Sequence, residues 1–494
     1  MNDMKPSLQK IRLVSALTAA GPAFASMVAR PVVASMVAAL MLSGCAIGPD
    51  YFRPTASLPT SYAEALPTAS QSQTEAAWWT LFQDPILNAL VEQALDKNAD
   101  IRLAVARVEQ ASAVAREAGA AFFPEINAAA NSSNRQQSTK TANWSANSSR
   151  NINSRSAALT TTYELDVWGR IRRANEAVQA SLLSSQYSRD AIRLTIAGLI
   201  SNNYLSLRTY DAQLVVTDES LASRQDSLTL VKNRVDAGLV SPLDLYQAEG
   251  ALAAIQTQAA TLRRQRALSE HQIALLTGNP ALKIAAGDLR QLPTPPVPLA
   301  DLPSALIEAR PDVRQAEENL IAANAGIGLA KAGYFPRFSL TGSLGSESKT
   351  LSDLFSTGAN TWSLGIGLLM PILDFGRTTA RVDQAKALNQ QSLITWENTL
   401  QTAFKEVRDA LVSLRENSAA ETAQNNRVDN AQKALALSQQ RYDAGYSSYL
   451  EVLDAQRTSN EARLDMISTR QARLTASVDL FKAIGGGWQD PTKK

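Results

Sequence analysis

The chain has 494 residues, and its 48 lysines and arginines against 46 acidic residues give a formal net charge of +2. A balance so close to neutral does not favour a nucleic-acid partner. Aromatic residues make up only 6% of the sequence, while long stretches without proline are rich in alanine, glutamine, serine and leucine. This composition is typical of long helices that pack through thin seams, and it argues against a thick globular core.

The first predicted element is a lipoprotein signal peptide over residues 1–44. Its apolar run VVASMVAALMLSGC ends on small residues, as signal peptides do. The sequence LSGC at 42–45 matches a lipobox, so we expect Cys45, the only cysteine, to become the acylated first residue of the mature protein. A free buried thiol is the alternative interpretation. The leader is long, and Met27 is an alternative start to Met1.

The mature chain is predicted to begin with a lipidated strap over 45–80, which is rich in proline, serine and threonine. Without the leader the chain has 44 basic and 45 acidic residues, which again argues against nucleic acid. Ala46 stands where an aspartate would indicate retention at the inner membrane, so we expect the outer membrane. No apolar run beyond Cys45 reaches the roughly eighteen residues of a membrane-spanning helix. A mature chain that spans the membrane must therefore use strands.

The sequence contains an internal repeat. NADIRLAVARVEQASAVAREAGAAFFP at 98–124 aligns with RPDVRQAEENLIAANAGIGLAKAGYFP at 310–336, and ELDVWGRIRRA at 164–174 aligns with ILDFGRTTARV at 372–382. Such self-similarity indicates two copies of one structural unit. The predicted segments are a first copy over 81–280, a proline-rich connector over 281–302, a second copy over 303–488 and a tail over 489–494.

Each copy shows the same order of periodic patterns: a helix that stops at a Phe-Pro pair, two short alternating strands, a long helix and a second helix. For the first copy the patterns predict a helix over 84–120, strands over 126–132 and 159–167, and helices over 170–237 and 242–277. For the second copy they predict a helix over 303–332, strands over 338–344 and 362–370, and a long helix over 377–444.

Four strands per chain cannot close into a barrel by themselves, because closure takes at least about eight. An open sheet in lipid would leave two edges whose unpaired backbone groups cost several kcal/mol each. Membrane-embedded strands therefore require an oligomer, and a dimer, a trimer and a tetramer all satisfy this condition.

Two similar turns, RVDAGLVSPLDL at 234–245 and RYDAGYSSYLEV at 441–452, follow the two long helices. Gly238 and Gly445 are suited to the left-handed position that ends a helix.

Ser241 and Ser448 are the predicted N-caps of the next helices, with Asp244 and Glu451 three residues later as the acids of two capping boxes. Capping alone would explain both carboxylates.

The motifs ARPDVRQAEENLIAANAGIGLAKAGYFP, LDFGR, RYDAGYSSYLEVLDAQR and FKAIGGGW resemble the outer-membrane factor superfamily, the TolC-like exit ducts, and most closely its OprM- and NodT-type lipoproteins. The match covers essentially the whole mature chain. The resemblance implies an internally duplicated chain that is mainly α with a transmembrane β portion. It also implies a homotrimer with a trimeric α-barrel and a 12-stranded β-barrel, four strands coming from each chain.

The resemblance implies the outer-membrane exit duct of a tripartite efflux system, a passive channel for drugs or other small molecules. Its partners would be a periplasmic adaptor (a membrane fusion protein), an inner-membrane pump of the resistance-nodulation-division type, and outer-membrane lipid. No cofactor is implied besides the lipid on Cys45.

The resemblance further implies that the two turns lie at the periplasmic mouth and close it like an iris. Glu451 and Asp454 align with positions that form a constricting acidic ring in relatives, and Asp244 and Tyr442 align with partners in the bonds that hold the closed state. Three like charges around a narrow axis would attract cations. Asp454 is the stronger gate candidate, because capping already explains Glu451.

The sequence departs from the family pattern at Ser447, where a TolC-like turn carries a basic latch residue, and Arg457 is the predicted replacement. The residues predicted to contact the adaptor are Gly238, Leu239, Val240, Ser241, Gly445, Tyr446, Ser447 and Ser448.

Two other functions fit the sequence less well. Catalysis is disfavoured, because the single histidine, His271, lies in a charged helical stretch and no phosphate-binding glycine loop follows a strand. A lipid-anchored periplasmic coiled-coil adaptor or scaffold without a channel would explain the helices and Cys45. It would not explain the paired strands with their polar loops.

Overall fold

The structure is a computed structural model. It describes residues 46–297 and 310–490, except for 56–58, 60, 64–76, 143, 146 and 148. The predicted signal peptide, Cys45 and the first residues of the helix predicted over 303–332 lie outside the described residues.

In the described chain, one order of elements occurs twice: a helical segment, two strands, a long helix and a shorter helix. The first series comprises helices α1 (Pro85–Lys97) and α2 (Ala99–Ala120), strands β1 (Glu125–Gln136) and β2 (Asn151–Leu165), and helices α3 (Arg170–Asp236) and α4 (Pro242–Leu276). The second comprises helix α5 (Pro311–Lys331), strands β3 (Arg337–Ser348) and β4 (Asn360–Leu369), and helices α6 (Arg377–Asp443) and α7 (Tyr449–Ala483). A search of these helices finds no segment with the length and hydropathy of a membrane span.

The single helix predicted over 84–120 is wrong, because the chain breaks at Asn98. The Asn98 backbone (φ −58°, ψ 135°) is not helical, and its side chain caps α2 by accepting from the N–H groups of Asp100 and Ile101. Its Nδ2 group donates to the carbonyl of Leu276 at 2.9 Å. The apolar periodicity runs through the break, so the pattern alone does not reveal that the asparagine is a cap.

The chain forms two compact units, each assembled from both copies. One contains residues 46–48, Phe123–Arg173 and Lys331–Phe375, and hence all four strands. The other contains Pro49–Phe122, Ala174–Ala330 and the chain from Gly376 onward.

The strand unit is built on one antiparallel sheet whose strands follow chain order, with β1 and β4 at its edges. The register places Thr161 of β2 opposite Ile126 of β1 and Gly342 of β3. All four strands are longer than the alternating patterns predicted, because the polar residues beside the loops also pair.

Strand β4 shows the predicted period of two. Small residues alternate with apolar side chains, and the apolar ones are 63–78% exposed; they are Trp362, Leu364, Ile366 and Leu368. Successive side chains of a strand point to opposite faces of the sheet, so these four side chains lie on one face and form an apolar row.

The helical unit has its largest core around Trp78, whose ring stacks on Phe481 at 5.6 Å. Tyr204 of α3 is fully buried there, and its hydroxyl donates to the Asp84 carboxylate at 2.5 Å. Asp84 also caps α1 through the N–H of Ile86. One carboxylate thus ties the start of α1 to the long helix.

The described part of the strap is held on α5 by Glu317, which is 2% exposed. Its carboxylate accepts from Tyr51 Oη at 3.1 Å, Arg53 Nε at 2.6 Å and Arg314 Nη1 at 2.6 Å. The neighbouring Glu318 is 5% exposed, and burial raises the pKa of its carboxyl to about 7. A second acid in this cluster is therefore protonated more readily than an exposed glutamate.

Candidate functional site: the two hairpin turns

The two turns between the long helices and their successors have the same backbone. Gly238 and Gly445 adopt positive φ values of 70° and 79°, as predicted for residues that end a helix. The N–H of Leu239 donates to the Arg234 carbonyl at 2.8 Å, and the N–H of Tyr446 donates to the Arg441 carbonyl at 2.8 Å. The repeat is therefore preserved down to individual hydrogen bonds.

The predicted capping boxes are only partly formed. The Ser241 hydroxyl accepts from the N–H of Leu243 at 3.2 Å, but Ser448 makes no side-chain cap. Within the described chain, neither Asp244 nor Glu451 returns a bond to its cap. The expectation that capping occupies both carboxylates is therefore wrong, because Ser448 leaves its cap unmade and Glu451 pairs with an arginine instead.

A small apolar core lies beside the turns. Tyr442 at the end of α6 and Tyr449 at the start of α7 pack with ring centroids 5.5 Å apart. The cluster also contains Val231, Ala248 and Val452, so the helices on both sides of both turns (α3, α4, α6 and α7) contribute to it. Burial raises the pKa of the Tyr449 hydroxyl, and the nearby Tyr442 and Asp244 raise it further.

Two equivalent arginines make different contacts. Arg441 Nε lies 3.2 Å from the Glu451 carboxylate, within its own hairpin. Arg234 instead reaches the other hairpin: its guanidinium carbon lies 4.7 Å from the centroid of the Tyr442 ring, and its Nη2 lies 3.9 Å from Asp443 Oδ1. Arg234 is therefore the basic side chain that joins the two hairpins beside the turns.

Among the described residues Asp244 and Tyr442 are not bonded to each other, and their part in a closed state stays a prediction. The Tyr442 hydroxyl is buried without a hydrogen-bond partner among the described residues, as is the Ser447 hydroxyl. Tyr442 is held through its ring, which Arg234 and Tyr449 cover.

Asp454 lies one turn beyond Glu451 and is exposed. It accepts a hydrogen bond from Arg457 Nη2 at 2.7 Å, and Arg457 Nη1 donates to Glu461 at 2.9 Å. All three side chains are on α7, so these contacts of Arg457 lie within one helix, and its role as a latch stays a prediction. Sequence reasoning missed Arg234 because the duplication suggests that it should pair within its own hairpin, as Arg441 does.

The turn residues predicted to contact an adaptor lie together at the surface. Leu239 is 74% exposed and Tyr446 79% exposed. A Cβ atom added at Gly238 or Gly445 would meet no other atom within 4 Å.

Comparison with known proteins gives a consistent result. The family model described as "Outer membrane efflux protein" matches residues 90–279 and 302–486. The solvent efflux pump outer membrane protein SrpC of Pseudomonas putida is 35% identical over 476 residues, which cover 92% of this chain and 97% of SrpC. The chain belongs to the outer membrane efflux protein family.

Other members of the outer membrane efflux protein family are also similar. The cation efflux system protein CusC of Escherichia coli is 31% identical over 462 residues, covering 91% of this chain and 97% of CusC. The open-state structure of the MtrE outer membrane channel of Neisseria gonorrhoeae is 28% identical with a TM-score of 0.81, covering 90% of this chain and 99% of that one. The fold is that of TolC-like outer-membrane channels, and the protein acts in efflux at the outer membrane.

One residue of this efflux protein near the turns was not anticipated. Arg224 of α3 donates to the Ala251 carbonyl at 3.2 Å, and burial lowers the pKa of its guanidinium. It lines a cavity of about 450 Å³ together with Asp454 and Arg457. Arg224 and Asp454 thus line one cavity, and helical periodicity gives no signal for that arrangement. Within the described residues, no group of histidine, cysteine and acidic side chains could hold a metal ion.

Proposed function

We propose that this efflux protein is the passive exit duct of a tripartite system and that Asp454 forms the gate at its periplasmic mouth. The observation that carries the gate is the position of Asp454 on α7. Its exposed carboxylate follows the second turn, where a Cβ atom added at Gly445 would meet nothing within 4 Å. Its only ion pair among the described residues is with Arg457 on the same helix. Glu451, with Asp244 on the first hairpin, would add a second layer of charge.

The open edges of the sheet support an oligomer, and we propose the homotrimer that the family resemblance implies. Strands β1 and β4 each leave one edge without a partner among the described strands, and a sheet in lipid needs both edges satisfied. Three copies would supply twelve strands, above the minimum of about eight for closure. In such an assembly the apolar row on β4 would face lipid.

The two turns suit contact with a periplasmic adaptor. Their glycines leave the backbone accessible, and Leu239 and Tyr446 offer exposed apolar surface beside them. We assign the inner-membrane partner to the resistance-nodulation-division pumps and the N-terminal lipid to Cys45. SrpC and CusC are named for the efflux of solvents and of cations, which supports a duct that leaves the choice of cargo to its pump.

The gate is tested in the purified protein reconstituted into planar bilayers. Asp454→Ala should raise single-channel conductance or weaken cation selectivity, because it removes one carboxylate per protomer from the constriction. Glu461→Ala is the matched control, since it removes the other partner of Arg457 and leaves Asp454 in place. Wild-type conductance and selectivity in Asp454→Ala would exclude Asp454 from the gate. A protein that forms no channel would contradict the duct itself.

A further inference from the structure

The start of the described chain is bound to the bend between β2 and α3, which we call the first elbow (residues 166–170). The N–H of Ile47 donates to the Trp168 carbonyl at 3.0 Å. Arg173 Nε donates to the Ile47 carbonyl at 3.4 Å. Both polar groups of one residue are thus held by the strand unit, two positions after Cys45.

Gly169 makes this contact possible. Its φ of 75° favours glycine, and a Cβ atom there would lie 2.8 Å from both Cα and Cβ of Ala46. Carbon atoms that are not bonded normally approach to about 3.5–4.0 Å. Any side chain at Gly169 would therefore displace Ala46 or distort the elbow.

The first elbow is itself well fixed. The Asp166 carboxylate accepts from the N–H groups of Ile171 and Arg172, both at 2.9 Å. The Trp168 indole donates to the Pro336 carbonyl at 2.8 Å. The elbow that carries the Trp168 carbonyl is therefore held by contacts that do not involve Ile47.

The second copy provides a counterpart, the second elbow (residues 374–377). Gly376 has a φ of 84°, close to that of Gly169, yet a Cβ atom there would meet nothing within 4 Å. Phe375 before it is 91% exposed. Both glycines thus have a positive φ, but of the two only Gly169 is approached by the start of the described chain.

We propose that the first elbow is a docking seat for the start of the mature chain and that Gly169 is the positioning residue that keeps it open. The seat fixes Ala46 beside β2, so acyl chains carried by Cys45 would enter the membrane next to the sheet. This last consequence alone rests on the proposed lipidation of Cys45.

Hydrogen exchange in the purified, detergent-solubilised protein tests the seat. The Ile47 amide should be protected in the wild type, and Gly169→Ala should increase its exchange rate about tenfold or more, because the displaced Ala46 pulls Ile47 from its acceptor. Gly376→Ala is the matched control: it imposes the same backbone conformation on an alanine and should leave Ile47 protected. If both variants lose protection of the Ile47 amide equally, backbone strain alone explains the effect. If Gly169→Ala leaves the Ile47 amide protected, the docking seat is wrong.

A second variant keeps the test valid if Gly169→Ala does not fold. Ala46→Leu places bulk on the other side of the same contact and leaves the elbow backbone unchanged, so it too should expose the Ile47 amide. Protection that survives Ala46→Leu would contradict the proposal. Mass spectrometry of the N-terminal peptide reports the lipid separately. A protected Ile47 without acylation would keep the seat and remove only the lipidation.

Discussion

The first and second hairpin turns have the same hydrogen-bonded backbone, but their side chains are used differently. In the first turn a serine caps the following helix and the arginine seven residues before it, Arg234, reaches across to the second hairpin. In the second turn the serine makes no cap, and Arg441 stays within its own hairpin. Duplication has conserved the shape of the turn and left its charges free to diverge.

The difference shows where coupling between the hairpins can arise. A side-chain contact within one hairpin stabilises only that turn. A side-chain contact between the two hairpins makes the position of one hairpin depend on the other. The first copy supplies the connecting cation, and the second copy supplies the aromatic ring and the acid proposed for the gate.

The largest effect is expected from bulk at the two turn glycines. Gly238→Leu and Gly445→Leu should each abolish efflux in a deletion strain complemented with the variant, because a large side chain covers the surface proposed for the adaptor. Gly→Ala at the same positions is the control. Alanine and leucine both destabilise the left-handed backbone by about 1–2 kcal/mol, and only leucine adds a large side chain. Loss of efflux at one turn alone would show that the adaptor distinguishes the copies.

The copies also differ farther from the turns, where Glu318 of α5 corresponds to Ala106 of α2. Burial raises the pKa of Glu318 to about 7, the positive charge of Arg314 opposes the shift, and Glu317 and Asp490 add to it. A carboxyl whose pKa is higher in the folded state costs stability as the pH rises from about 4.5 to about 7. The full cost above that window is about 3 kcal/mol.

Glu318→Gln should therefore unfold at a higher temperature than the wild type at pH 8 and at nearly the same temperature at pH 4.5. Glu317→Gln is the control, because it weakens the ion pairs with Arg53 and Arg314 and should destabilise the protein at pH 8. Melting curves of the purified protein at both pH values decide the matter. A pH-independent gain for Glu318→Gln would show that Glu318 is not the titrating group.

Periodicity and spacing predicted the long helices, the paired strands and the left-handed glycines. These features depend on local sequence: alternation fixes the faces of β4, and a glycine after a helical run fixes the bend. The break at Asn98 could not be predicted, because the apolar periodicity runs through it and the Nδ2 group bonds the distant Leu276 carbonyl. The missing cap at Ser448 has no explanation in the described contacts. The contact between Arg234 and Tyr442 joins residues 208 positions apart, and no local pattern encodes it.

A smaller effect should separate the two arginines. Arg234→Ala removes a partly shielded cation–π contact, on the order of 1 kcal/mol, and should broaden the distance distribution between spin labels on Leu239 and Tyr446. Arg441→Ala removes an exposed ion pair, at about 0.5 kcal/mol, and should leave that distribution unchanged. If both variants broaden it equally, Arg234 has no special part in coupling the hairpins.

The smallest effect is expected at the Tyr442 hydroxyl. The corresponding residue of the first copy is Val235, which has no polar group, and the hydroxyl of Tyr442 is buried without a partner in the described chain. Tyr442→Phe keeps the ring that Arg234 and Tyr449 contact, so its free energy of unfolding should stay within about 0.5 kcal/mol of the wild type. Its conductance should also be unchanged, whereas Tyr442→Ala, which removes the ring, should destabilise the protein by about 3 kcal/mol. A rise in conductance for Tyr442→Phe would mean that the hydroxyl gains a partner in the assembled channel and that the closed state depends on that bond rather than on the ring.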